Sequence, residues 1–280
     1  MGANLDLELC RKAYFYFDIP VEYKIGEKIL YIYPITVKDS EIFLSSLSVI
    51  NVDKNSSDSV EIIQMSYLNF IYKVLFQNQV NINKFLNILK YCLHFENEAV
   101  EVGYNEDNKP ILRDSNSEIE IMQKDFENIR RIILYQNLIH YDDEYINPEL
   151  KKMMAEVDAV KNTGIEPPTI ERKMAIITAH CGISKQEQMN MTYRSHSLLF
   201  EEVYGEVEFE TTRPILLYAG KGNEIDHWIY KKKKDKYDGY MTDADSYAQS
   251  MGSDRNAIKT ASSTEQGDNL SQQYNNFINK

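Results

Sequence analysis

His180, Cys181 and His196 are the residues whose types best suit metal or nucleophilic chemistry. Structural zinc takes four ligands in paired short spacings, and here the fourth ligand is missing. A Cys181 nucleophile would need the fold to bring His196 beside it as a base, which spacing alone does not do. These three residues therefore read as core or surface positions. Asp142-Asp143-Glu144 is a carboxylate run of the kind that holds a divalent cation, yet no second acidic cluster lies at a useful spacing. It reads as a solvated junction between helices. The lysine run 231–234 would bind a polyanion weakly and in a salt-sensitive way. With only 11 glycines, a Gly-rich phosphate loop is not expected either. The chain reads as a non-enzyme, with no catalytic residue, no cofactor and no metal.

The elements that carry the His/Cys cluster are three short helices. Thr169 caps the first, which runs to Cys181 and stops at Gly182. Ser184-Lys185-Gln186-Glu187 is a capping box opening the second. Thr192 caps the third, which holds Leu198, Leu199 and Val203. Their lengths resemble a helix-turn-helix, but a DNA reader needs basic residues on its second helix and flanks. From Thr169 to Glu210 the basic residues are Arg172, Lys173, Lys185 and Arg194, outnumbered by glutamates. Packing against another protein is the better use for this stretch.

Upstream, residues 19–37 alternate as a β-hairpin. Val21, Tyr23 and Ile25 precede Gly26-Glu27, and Ile29, Tyr31 and Tyr33 follow it. Asp39-Ser40 starts a helix to about Val49. One helix is expected over 60–76, with its apolar stripe on Ile62, Met65, Leu68, Ile71 and Val74. Another is expected over 82–95. A strand pair, Val100-Val102 with Ile111-Leu112, precedes a helix whose apolar face is Ile119, Met122, Phe126, Ile129 and Ile133. Asn147-Pro148 starts a helix that ends before Pro167-Pro168. The fold class is mainly α with a small N-terminal β element. The boundaries expected are 1–164 for a hairpin and helical domain, 165–230 for a second helical region, and 231–280 for a disordered tail poor in aliphatics.

At 280 residues and 43% hydrophobic, the chain can bury a real core. Its 31 Lys+Arg against 43 Asp+Glu, a net charge of −12, argue against general binding to nucleic acid or to a membrane surface. Three widely spaced cysteines (Cys10, Cys92, Cys181) suit a reducing compartment. The N-terminus has acids and no basic segment before its apolar run, so no secretory signal is expected, and Asp6 breaks the myristoylation pattern. Apolar runs are too short to span a bilayer.

Four segments carry a family resemblance: YIYPITVKD after the hairpin, EIIQMSYLNF, LYQNLIHYDDEYINPELK, and MNMTYRSHSLLFEEV. Together, over roughly Val21 to Trp228, they resemble tail assembly proteins of contractile-tailed phages of Gram-positive bacteria. The resemblance implies a tail assembly chaperone in the host cytoplasm that binds tape-measure or tail tube subunits, and it leaves self-association open. Members are often made with a programmed frameshift, for which the codons of the lysine run would be the place to look. The candidate contacts are Tyr193, Leu199 and Phe200. The alternative is a structural baseplate or hub component kept in the virion.

Residues 235–280 carry few apolar side chains, so truncation after Tyr230 is expected to leave the melting temperature nearly unchanged by circular dichroism. A loss of many degrees would contradict that expectation.

Overall fold

A computed structural model of the chain describes residues 5–54, 57, 59–144, 146–161, 166–225 and 227–230. The expected disordered tail, 231–280, lies outside the described residues. The chain divides into two compact units, 1–149 with 164–229, and 150–163 with 230–280. Residues on the far side of Pro167-Pro168 thus share a unit with the N-terminal region. The architecture is mainly α-helical with two small antiparallel sheets.

In the first unit, Asp6 accepts the Leu9 N–H and opens α1 (Leu7–Ala13). The hairpin follows, β1 (Val21–Ile25) with β2 (Lys28–Ile32), turning at Gly26 with φ 60°. Its pairing sets Val21 against Ile32 and Tyr23 against Leu30. The buried side of β2 is therefore Leu30 and Ile32, whereas Ile29 and Tyr31 face out. The alternation read from Ile29, Tyr31 and Tyr33 was one residue out of phase, and cross-strand pairing with Val21 decides it. Beyond the hairpin come α2 (Ser40–Ser46) and a 3₁₀ turn to Val49.

The single helix expected over 60–76 is two, α3 (Val60–Gln64) and α4 (Tyr67–Lys73). Met65 turns extended, and Ser66 takes the Asn69 N–H as a new N-cap, so side-chain capping wins over periodicity. Leu68 and Ile71 are fully buried, while Val74 is not. Asn78 caps α5 (Gln79–Leu93), which buries Phe85, Ile88, Leu89 and Cys92.

A second sheet is ordered β3 (Val100–Tyr104), β4 (Pro110–Asp114), β5 (Ile119–Met122). The third strand corrects the reading of Ile119 and Met122 as helical. Asp114 accepts from the Ser117 amide and hydroxyl, closing a tight turn, and Ile119 and Ile121 then alternate inward. Directly after β5, α6 (Gln123–Asn137) runs through the core and buries residues on most of its circumference. The C-terminal helices are α8 (Ile170–Cys181), α9 (Lys185–Asn190) and α10 (Tyr193–Tyr218). Thr169, Ser184 and Thr192 cap them as expected, with Gly182 left-handed after α8. The helix opened by Thr192 is not short: it has 26 residues and passes through Pro214. α7 (Pro148–Lys161) starts where Asn147 accepts the Glu149 N–H, and from Leu150 on it belongs to the second unit.

The segment from Tyr33 to Val37 ties three remote parts of the first unit together. The Tyr33 amide donates to Cys92 at the end of α5 (2.7 Å). The Ile35 amide donates to the Asn137 side chain on α6 (2.8 Å), and Asn137 donates in turn to Ile133. The Ile35 carbonyl accepts from Tyr193, and the Val37 amide donates to Met191, with a bridge between Thr36 and Thr192.

Asn137 is completely buried, and removing its side chain strands the Ile35 amide away from water. Asn137→Ala is expected to destabilise the protein by about 1–3 kcal/mol in urea unfolding. An unchanged midpoint would show that the segment is held without it.

Candidate partner-binding site

A cleft of about 570 Å³ opens between the end of α6 and the helices α8 and α10. One wall is the chain from Leu138 to Asp142, and the other is Tyr193, Ser197, Phe200 and Glu201 of α10. Lys173 of α8 and Pro168 close one end. The LYQNLIHYDDEYINPELK segment supplies the first wall and links α6 to α7.

That wall is fixed from behind. Tyr141 packs edge-on against Tyr135 at 4.9 Å between centroids. Asp143 binds the Arg131 guanidinium and accepts from the Tyr135 hydroxyl at 2.6 Å. Partial burial pushes the Asp143 carboxyl up, but Arg131 and Tyr135 outweigh it and hold it below its ordinary value. So the acid run is not only a solvated junction, since its middle carboxylate is locked into the loop. His140 pairs with Glu201, joining this wall to α10.

The opposite wall follows from the start of α10. Thr192 and Ser195 both donate to Asp18 (2.6 Å each), and Arg194 donates to the Tyr135 carbonyl. This anchorage turns Tyr193 and Phe200 toward the cleft, two of the three candidate contacts. Tyr193 also packs against the core, and the Lys173 ammonium lies 5.2 Å from the Phe200 ring. Leu199 is half-buried and does not line the cleft.

The His/Cys cluster is dispersed. His180 and Cys181 are exposed, whereas His196 is buried with a ring nitrogen 3.2 Å from Gln188. Gln188 is itself buried and donates toward Met174, Thr178 and Ile183, joining α8 to α9. Sequence reasoning missed this glutamine, because an isolated Gln carries no spacing signal. Among the described residues, no three His, Cys, Asp or Glu side chains form a metal-holding group.

Past Val203, α10 has no buried residue. Tyr204, Ile215, Leu217 and Tyr218 are exposed, Tyr218 at 94%. The chain turns at Gly220 (φ 71°) and comes back along the helix, and Trp228 lies against Gly205. Sequence reasoning ended this helix too early to see the surface. The apolar run PILLY after Glu210 was the available signal.

The fold and cleft define a mainly helical protein with an open, mixed polar and aromatic surface. The chain matches no protein-family model, no curated protein and no solved structure.

Burial, aided by the nearby Lys173 charge, holds the His196 imidazole below its ordinary value. The unfolded chain, with an imidazole pKa of about 6.5, therefore binds this proton more readily than the folded one. Stability from this group is complete above that value and falls as pH drops below it. Burial also lowers His94, so the diagnostic is comparative. Melting temperature should decline from pH 7 to pH 5, and His196→Gln should flatten the decline more than His94→Gln does.

Proposed function

We propose that this chain is a protein-binding assembly factor of the tail assembly chaperone kind. It would act in the host cytoplasm and hold apolar helices of a tape-measure or tail tube protein during assembly. The observation that carries the reading is the part of α10 beyond Val203, which exposes Tyr204, Ile215, Leu217 and Tyr218 to solvent. Large side chains of this kind, rimmed by charge, mark surfaces for another protein. The cleft beside it offers Tyr193 and Phe200 as shallow anchors. Support also comes from the resemblance of the hairpin exit, the α6–α7 link and the start of α10 to such proteins. The binding would be non-covalent and would use helix-in-groove contacts. Among the described residues no helix is long and apolar enough to cross a membrane.

Co-expression with the tape-measure or tube protein of the same phage, followed by size exclusion, tests the reading. A complex should form without nucleotide or metal and persist at moderate salt. The pair Leu199→Ala and Phe200→Ala should weaken it by roughly tenfold, about 1.4 kcal/mol. Absence of any complex would overturn the reading. Fixed-copy presence in purified virions by mass spectrometry would favour a baseplate or hub component instead.

A further inference from the structure

Along the distal half of α10 runs a groove of about 810 Å³. Its half-buried floor is Phe209 and, from the returning chain, Trp228, and the exposed Leu217 and Tyr218 also line it. Its rim carries Glu206 and Glu210, with Arg213 further along. The lining positions 206, 209, 210, 213, 214, 217 and 218 recur at three and four residues, so they form one continuous stripe. That stripe is the spacing with which a helix meets a second helix.

The charge on this stripe is unbalanced. Glu202, Glu206 and Glu210 follow one another at i, i+4 spacing, an arrangement that destabilises an isolated helix through repulsion. None of the three carboxylates makes an ion pair or side-chain hydrogen bond with a described residue. Arg213 forms no ion pair with Glu210 among the described residues, and its guanidinium lies 5.8 Å from the Phe209 ring centroid. His227 also lies against Phe209, with 4.7 Å between ring centroids. Apolar rings beside acids that have no partner among the described residues match an amphipathic helix with aliphatic residues on one face and lysine or arginine beside them. Such a ligand would bury the rings, place cations against aromatic faces and relieve the glutamate repulsion at once. A second copy of this chain fits less well, because it would bring the same acidic stripe to the contact.

We infer that the distal groove of α10 binds a basic amphipathic helix of a partner protein, with Trp228 and Phe209 as the apolar floor and Glu206 and Glu210 as the charge readers. This rests on the reading of the chain as a protein-binding module and names the chemistry of the partner.

Trp228 is the only tryptophan in the chain, so its emission reports on this groove alone. The probes are two synthetic helices of about 18 residues, or five turns, with identical leucine faces, one bearing lysines and the other glutamates. Titrated into the full-length protein, the lysine peptide should shift Trp228 emission and saturate, while the glutamate peptide should not. Glu206→Gln with Glu210→Gln should weaken the lysine peptide about tenfold, the summed effect of two partly exposed ion pairs. The same change should also flatten its salt dependence. Equal binding of both peptides, or binding unchanged in the double variant, would overturn the inference and leave the protein-binding reading standing. Binding seen only after Lys231, Lys232, Lys233 and Lys234 are changed to alanine would give the groove to the chain's own lysine run, and would also overturn it. Failure of the co-expression test with peptide binding intact would instead count against the tail-protein reading alone.

Discussion

The first unit depends on the five residues between β2 and α2, Tyr33 to Val37, the last of which opens a 3₁₀ turn. Extended backbone leaves its N–H and C=O groups unpaired, and burial makes each unpaired group costly. Here the partners come from α5, α6 and the residues that open α10, so satisfying one short segment fixes three helical elements. Ile35 and Val37 add apolar burial at the same point, at 2% and 4% exposure. Helical packing elsewhere tolerates small shifts, but a hydrogen bond tolerates little. The cleft walls inherit their separation from this segment, because one continues from α6 and the other from Tyr193.

A second constraint lies two turns earlier on α6. Arg130 is buried, donates to the Ile50 carbonyl at 2.9 Å and to Glu127 at 3.0 Å, and stacks 3.7 Å from the Tyr67 ring. Lys54 approaches the same ring at 4.4 Å and donates to the Met65 carbonyl. Met65 is where α3 ends, so the lysine occupies a carbonyl freed by the helix break. Two cations sharing one aromatic ring would be costly without Glu127: burial pulls the Arg130 guanidinium down, and the Glu127 carboxylate outweighs it and holds it above its ordinary value. The break between α3 and α4 is therefore packed and paired.

The parts legible in the sequence were those that a single side chain decides. Thr169, Ser184 and Thr192 announce their helices because each cap is a local hydrogen bond. Gly182 stops α8 for an equally local reason. Periodicity was less dependable. It carried one helix through Met65 and Ser66, and it placed the β2 face on Ile29 and Tyr31 although Val21 across the hairpin selects Leu30 and Ile32. Ile119 read as helical because Ile119, Met122, Phe126, Ile129 and Ile133 recur at three and four residues across the strand-to-helix junction. At the surface, Tyr193 and Phe200 meet in the cleft because seven residues are two helical turns, while Leu199 turns to another side. The groove was illegible. Its floor joins Phe209 to Trp228 across a chain reversal, and nothing local announces that the chain comes back.

The anchorage of α10 makes the helix a beam fixed at one end. Its root is clamped by Asp18, Arg194 and the buried His196, and its length of 26 residues is about 39 Å at 1.5 Å per residue. Pro214 supplies no amide for the Glu210 carbonyl, so the bending compliance is concentrated near the tip. A beam of this kind holds the direction of its root while its end swings through a small arc. The two stretches of one element therefore differ in compliance: the root is held in place, and the residues beyond Pro214 are freer to bend.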